Sequence, residues 1–113
     1  MPSLFKFDRK KRPVAPADPG SELDYSVSSW LEGLLFIEPT DWTIEPAVPG
    51  VPYSKGINPA PVVIDQVTYQ AGQIAFAWVK DLQPGIEYTV TVKGTFTGGR
   101  KDERSFILQC QQL

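Results

Sequence analysis

Two charged clusters and three tryptophans are the side chains best equipped for chemistry in this chain. The first cluster, Lys6, Arg9, Lys10, Lys11 and Arg12, is cationic, and Phe5 and Phe7 alternate with Lys6 and Asp8 at its start. Interleaved aromatics and cations suit an arm that inserts rings into a neighbour, lays charge on an acidic surface and docks by strand addition. The alternatives are a disordered, solvated tail and a nucleic-acid contact in which the cations release counterions from phosphates, although one short cluster on an acidic chain is a small footprint. The second cluster sets Arg100 and Arg104 around Asp102 and Glu103. Guanidinium groups pair bidentately with carboxylates, so this cluster is either an ion-pair group within the domain or a contact to a neighbouring subunit. Trp30, Trp42 and Trp78 could line a sugar platform, or fill a core as aromatics inside apolar strands do.

Catalysis has less to work with. The chain has no His, hence no imidazole base or His metal ligand, and its one Cys, Cys110, can form neither an internal disulfide nor a thiolate-rich zinc site. The 13 acidic residues show no spacing that would converge two of them as acid and base or as Mg²⁺ ligands. Gly98-Gly99-Arg100-Lys101 lacks phosphate-loop spacing and precedes a strand, so it presents no helix N-terminus. A non-enzyme without cofactor or metal is the expectation.

The elements that must position these residues follow from length and pattern. At 113 residues there is room for one domain and its core. Residues 1–13 hold five cations against Asp8, a net +4, whereas the rest of the chain holds six cations against twelve carboxylates, a net −6. Pro13, Pro16 and Pro19 favour an extended spacer. The boundary is therefore placed near Ser21, giving a basic, Pro-rich arm over residues 1–20 and a domain over 21–113. The basic run leads into prolines, unlike the apolar helix of a secretory signal. The longest purely apolar run, residues 34–37, is far short of the ~20 residues that cross a bilayer. A soluble chain with no membrane partner, made in the cytoplasm, is expected.

Period-two alternation dominates beyond Glu22, and helical periodicity is never sustained. Leu23, Tyr25 and Val27 alternate with polar residues; residues 62–69 read as a strand, Ala71-Gly72 as a turn, and Ile74, Phe76 and Trp78 as the buried face of the next strand, paired to 62–69. Prolines crowd residues 46–61 and predict an irregular connection or edge excursion. Gly98-Gly99 marks a last hairpin, after which Phe106, Leu108 and Cys110 share one face, making Cys110 a small core residue. Residues 82–92 resemble the tyrosine corner of immunoglobulin and fibronectin type III sandwiches. In that resemblance Leu82 plugs the core, Pro84-Gly85 turns, and Tyr88, Val90 and Val92 face inward. The expected fold is all-β, a single antiparallel sandwich of immunoglobulin or fibronectin type III type with an extended N-terminal arm.

A narrower likeness lies in Leu23-Asp24-Tyr25-Ser26-Val27-Ser28-Ser29-Trp30-Leu31, the Trp42-Thr43 strand, and Gly99-Arg100-Lys101-Asp102-Glu103-Arg104-Ser105-Phe106. Their order and spacing over residues 22–109 resemble small virion proteins of tailed bacteriophages, with residues 45–61 longer than the short connection usual there. The resemblance implies a structural virion component, synthesised in the host bacterial cytoplasm and placed in capsid, neck, tail or baseplate. Its implied partners are other virion proteins and repeated copies of itself, met through Phe5, Phe7, Arg9, Lys10, Lys11, Arg12, Arg100 and Arg104. The alternative is an adhesion module that binds host glycan through exposed aromatics and loops.

Overall fold

The computed structural model describes residues 3–5, 14–17, 22–31, 33–38 and 40–110. Its strands in chain order are β1 (Ser3–Phe5), β2 (Val14–Ala17), β3 (Leu23–Ser28), β4 (Asp41–Glu45), β5 (Tyr53–Ile57), β6 (Val62–Ile64), β7 (Val67–Tyr69), β8 (Ile74–Val79), β9 (Glu87–Phe96) and β10 (Arg100–Cys110). They form one sheet ordered β1-β3-β8-β5, a second ordered β2-β10-β9-β4, and a hairpin of β6 and β7. This is an all-β sandwich, as the alternation predicts.

The longest pairing, β9 with β10, runs from Arg100 opposite Phe96 to Gln109 opposite Glu87. Its inward positions Tyr88, Val90, Val92, Phe96, Phe106, Leu108 and Cys110 are buried. They meet Tyr25, Val27, Ala75, Ala77 and Val79 from the other sheet in one apolar cluster. Phe106 is the centre of a ring layer, 5.9 Å from Tyr25 and 6.0 Å edge-on from Trp42. Buried Leu82 precedes a corner at which the Gln83 N–H donates to the Tyr88 hydroxyl over 2.8 Å.

Three expectations are corrected. In β8 Ile74 is buried as expected, against the β6–β7 hairpin, but the face toward the main core is Ala75, Ala77 and Val79, and Phe76 and Trp78 are half-buried on the outside of the sheet. Alternation identifies two faces but not which is inner, and small alanines fit opposite the Tyr25, Trp42 and Phe106 rings where larger side chains would overpack. Residues 62–69 are two three-residue strands about a turn at Asp65 and Gln66, and β8 pairs with β3 and β5 instead. Both turn residues have positive φ, at 51° and 66°, the two-residue hairpin geometry usually announced by Asn-Gly, so the sequence carried little signal. Finally, the first 20 residues are not wholly a spacer: β1 pairs in parallel with β3, β2 pairs in parallel with β10, and Ala17 is in the core. The boundary near Ser21 therefore falls after two strands of the sandwich. Pro16 is tolerated because β2 is an edge strand.

Candidate interface

The sandwich has two unlike ends. One end holds the turn between β9 and β10, the close of β3 and the start of β8, where Ser28 faces Ile74. The other holds Cys110, whose carbonyl accepts from the Gly85 N–H.

Asn58 organises the first end. It is 4% exposed and ties the chain on the two sides of the β6–β7 hairpin together through four backbone groups. Its Nδ2 donates to the carbonyls of Ala60 and Gln70, and its Oδ1 accepts from the N–H groups of Gly72 and Ile74. These bonds clamp the base of the β6–β7 hairpin, whose Ile64 and Tyr69 pack on Ile74. Gly72 sits at φ +83°, and a Cβ there would lie 3.1 Å from the Phe36 carbonyl oxygen, so glycine serves both the turn and the close approach of residues 34–37. Phe36 donates its N–H to the Gly72 carbonyl and bridges to Phe96, which joins this segment to both sheets.

Under the same end, Trp30 stacks edge-on against Phe96 at 5.1 Å and Phe36 at 5.6 Å. Its Nε1–H donates to Asp102 Oδ2, which also accepts from Arg104 at 2.9 Å, and the guanidinium lies over the indole ring. Partial burial pushes the Asp102 carboxyl up, but the Glu103 N–H, the Trp30 indole and the Arg104 charge outweigh it and hold the carboxyl below its usual range. Arg104 is thus engaged inside the domain, along its own strand and with Trp30, whereas Arg100 is exposed beside the glycine turn.

Five large hydrophobic side chains are exposed among the described residues. Four belong to this end: Leu35 (38%), Ile37 (50%), Val63 (68%) and Val67 (46%); Ile86 is at the other. Sequence reading missed all four, because a valine on a three-residue hairpin strand has the same composition whether it faces in or out. One flank of the basic run also opens toward this end. Strand β1 runs along β3 and stops beside Val27, and β2 starts beside Ile107 and runs along β10 to Cys110. Phe7, Arg9, Lys10, Lys11 and Arg12, and the side chain of Phe5, lie outside the described residues.

The outer face of the first sheet carries the misassigned aromatics. Asp24, Trp78 and Tyr53 form one cross-strand row, and Lys80 Nζ stands 5.0 Å over the Tyr53 ring. The Tyr53 hydroxyl donates to Glu22 Oε2 over 2.6 Å. That bond, followed by desolvation and the Glu22 and Asp81 charges, pushes the phenol up to about 12, so it remains a donor at neutral pH. The outer face of the second sheet has a shallow groove of about 590 Å³ in which Glu38, Asp41 and Glu103 mingle with Lys93 and Lys101. Among the described residues no group of three His, Cys, Asp or Glu is placed to hold a metal ion, and no helix is long and apolar enough to cross a membrane.

No curated protein matches the chain. Residues 17–109 match the family model of the podophage GP4 fiber-tail adaptor protein gp77. The match begins at the last residue of β2 and ends one residue short of the close of β10, so it takes in strands of both layers of the sandwich and the clamped hairpin. On that coverage, the chain belongs to the podophage fiber-tail adaptor family.

Proposed function

We propose that this chain is a non-enzymatic connector that joins neighbouring virion proteins, fiber and tail among them, through the aliphatic end of its sandwich and the basic run between β1 and β2. Family membership gives the setting, a structural component of the phage particle. The observation that carries the docking site is that Leu35, Ile37, Val63 and Val67, four of the five exposed large hydrophobics among the described residues, lie on two segments joined at one end, where β1 also ends. Large apolar side chains exposed at one end mark an interaction surface, and burying each fully is worth ~1.5–3 kcal/mol. Cations beside them supply steering toward an acidic partner more than affinity.

A photo-crosslinking side chain placed at Val63 in the full chain, during particle assembly, tests the reading. Crosslinks to another virion protein are expected from Val63 and not from the same group placed at Ile86. Crosslinks from Ile86 alone would move the interface to the opposite end.

A further inference from the structure

We infer that the aromatic outer face of β3, β8 and β5 receives the basic run, residues 6–12, of a second copy of this chain. The inference rests on reading that run as a docking arm and names one partner for it.

The face is built for a cationic, aromatic-seeking segment. Asp24, Trp78 and Tyr53 form one row, and Ser26, Phe76 and Gly56 form the next. A Cβ on Gly56 would lie 2.7 Å from the Phe76 ring, so the glycine lets that ring lie across β5 and extend the apolar strip. Phe76, Trp78 and Tyr53 are all half-buried around buried Ser26, while the core contacts of β8 are made by Ala75, Ala77 and Val79. Core packing therefore does not account for three aromatics on the outer side. Carboxylates of Glu22 and Asp24 border the strip, and Lys80 over Tyr53 already shows a cation held on one of its rings. Arginine stacked on an indole or phenol beside a carboxylate combines cation–π attraction with a charge-assisted hydrogen bond. The chain outside residues 1–13 is net −6 and that segment is net +4, so the charges are complementary between copies.

Geometry selects a second copy over the chain's own run. Strand β1 passes from beside Tyr25 to beside Val27, away from the row that contains Asp24, and β2 begins on the other sheet beside Ile107. The run thus leaves β1 at the end remote from Trp78 and rejoins the fold on the other sheet, beside Ile107. A run that leaves one copy at that end and settles on a different surface of the next makes a heterologous contact, which repeats from copy to copy.

Sedimentation velocity of the full chain and two variants tests this. The face variant carries Trp78→Ser and Asp24→Lys; the run variant carries Arg9→Gln, Lys10→Gln, Lys11→Gln and Arg12→Gln. The parent is expected to self-associate, more weakly as salt is raised. Each variant alone should associate about tenfold or more weakly. Mixed together they should form a 1:1 dimer, since the intact run of one meets the intact face of the other. A monomeric parent, variants that associate like the parent, or a mixture that stays monomeric would overturn the inference; a glycan bound to Trp78 with no such dimer would assign the face to carbohydrate instead. If Trp78→Ser lowers the thermal midpoint, Asp24→Lys alone serves as the face variant. Val63 crosslinks that persist with a monomeric parent would remove this inference and leave the docking reading standing.

Discussion

Replacing Asn58 tests how the aliphatic end of the sandwich is held together. Its side chain makes four hydrogen bonds, of 3.0 and 2.8 Å to the Ala60 and Gln70 carbonyls and 3.0 Å each from the Gly72 and Ile74 N–H groups. Ala60 and Gln70 are exposed residues whose carbonyls can turn to water, but the Ile74 amide is buried and the Gly72 amide partly so. The Gly72 N–H keeps its second bond, to the Asn58 backbone carbonyl, and an orphaned buried donor costs ~1–3 kcal/mol, so Asn58→Ala should cost about 1–3 kcal/mol, set by the Ile74 amide. That is a large share of the ~5–15 kcal/mol typical of a domain. Asn58→Asp keeps the acceptor for the two amides but faces two carbonyls with a second oxygen. It should be destabilising at neutral pH and recover partly in acid, where a protonated carboxyl donates one bond. Urea unfolding at constant m-value gives the cost, and hydrogen exchange of the β6–β7 amides shows where it falls. A loss below about 1 kcal/mol for Asn58→Ala, with hairpin protection unchanged, would refute the clamp.

Other substitutions probe the rest of the frame. Trp42→Ala should cost ~3–5 kcal/mol because Trp42 is buried against Phe106, whereas Trp78→Ala, on the outer face, should cost no more than about 1–2 kcal/mol; parallel denaturation of the two variants checks the order. Tyr88→Phe should cost ~1–3 kcal/mol in urea by leaving the Gln83 N–H without its acceptor. Because Asp102 is held below its usual range in the folded state, its contribution is present above the unfolded value of ~3.9 and is lost as pH falls through the lower folded value. The stability gap between wild type and Asp102→Asn should therefore close in acid, as thermal midpoints across pH would show. Deleting residues 1–17 removes β2 and buried Ala17 and should lower the denaturation midpoint more than deleting residues 1–13, which leaves β2 on β10.

What was legible in the sequence follows from where the physics is local. Period two is strong along β9, and Pro84-Gly85 before Tyr88 gives the corner its own turn chemistry, so that half of the sandwich could be read residue by residue. The inner face of β8 was not legible, since it depends on the size of rings in the opposite sheet, which only tertiary packing supplies. The Asp65-Gln66 turn lacks glycine, and β5 lies within residues dominated by proline, so both edge features were hidden. The parallel pairings of β1 and β2 were masked for a different reason: three-residue and four-residue strands are too short for periodicity, and prolines outvote them. As for the interface, the charge split was visible in composition, but the exposed aliphatics form two pairs, Leu35 with Ile37 and Val63 with Val67, more than 25 positions apart in the chain and brought to one end because Asn58 and Gly72 join their segments.

The most direct measurement of the docking claim is occupancy of this protein on assembled particles when Leu35→Ser, Ile37→Ser, Val63→Ser and Val67→Ser are combined. These side chains are 38–68% exposed, so the folded domain should persist, verified by circular dichroism and the denaturation midpoint of the purified chain. With the variant as the sole source of the protein, electron micrographs should show its density on the particle reduced about tenfold or more, as expected when several kcal/mol of apolar burial is removed. Wild-type occupancy by a folded variant would contradict the claim that this end is the one that docks.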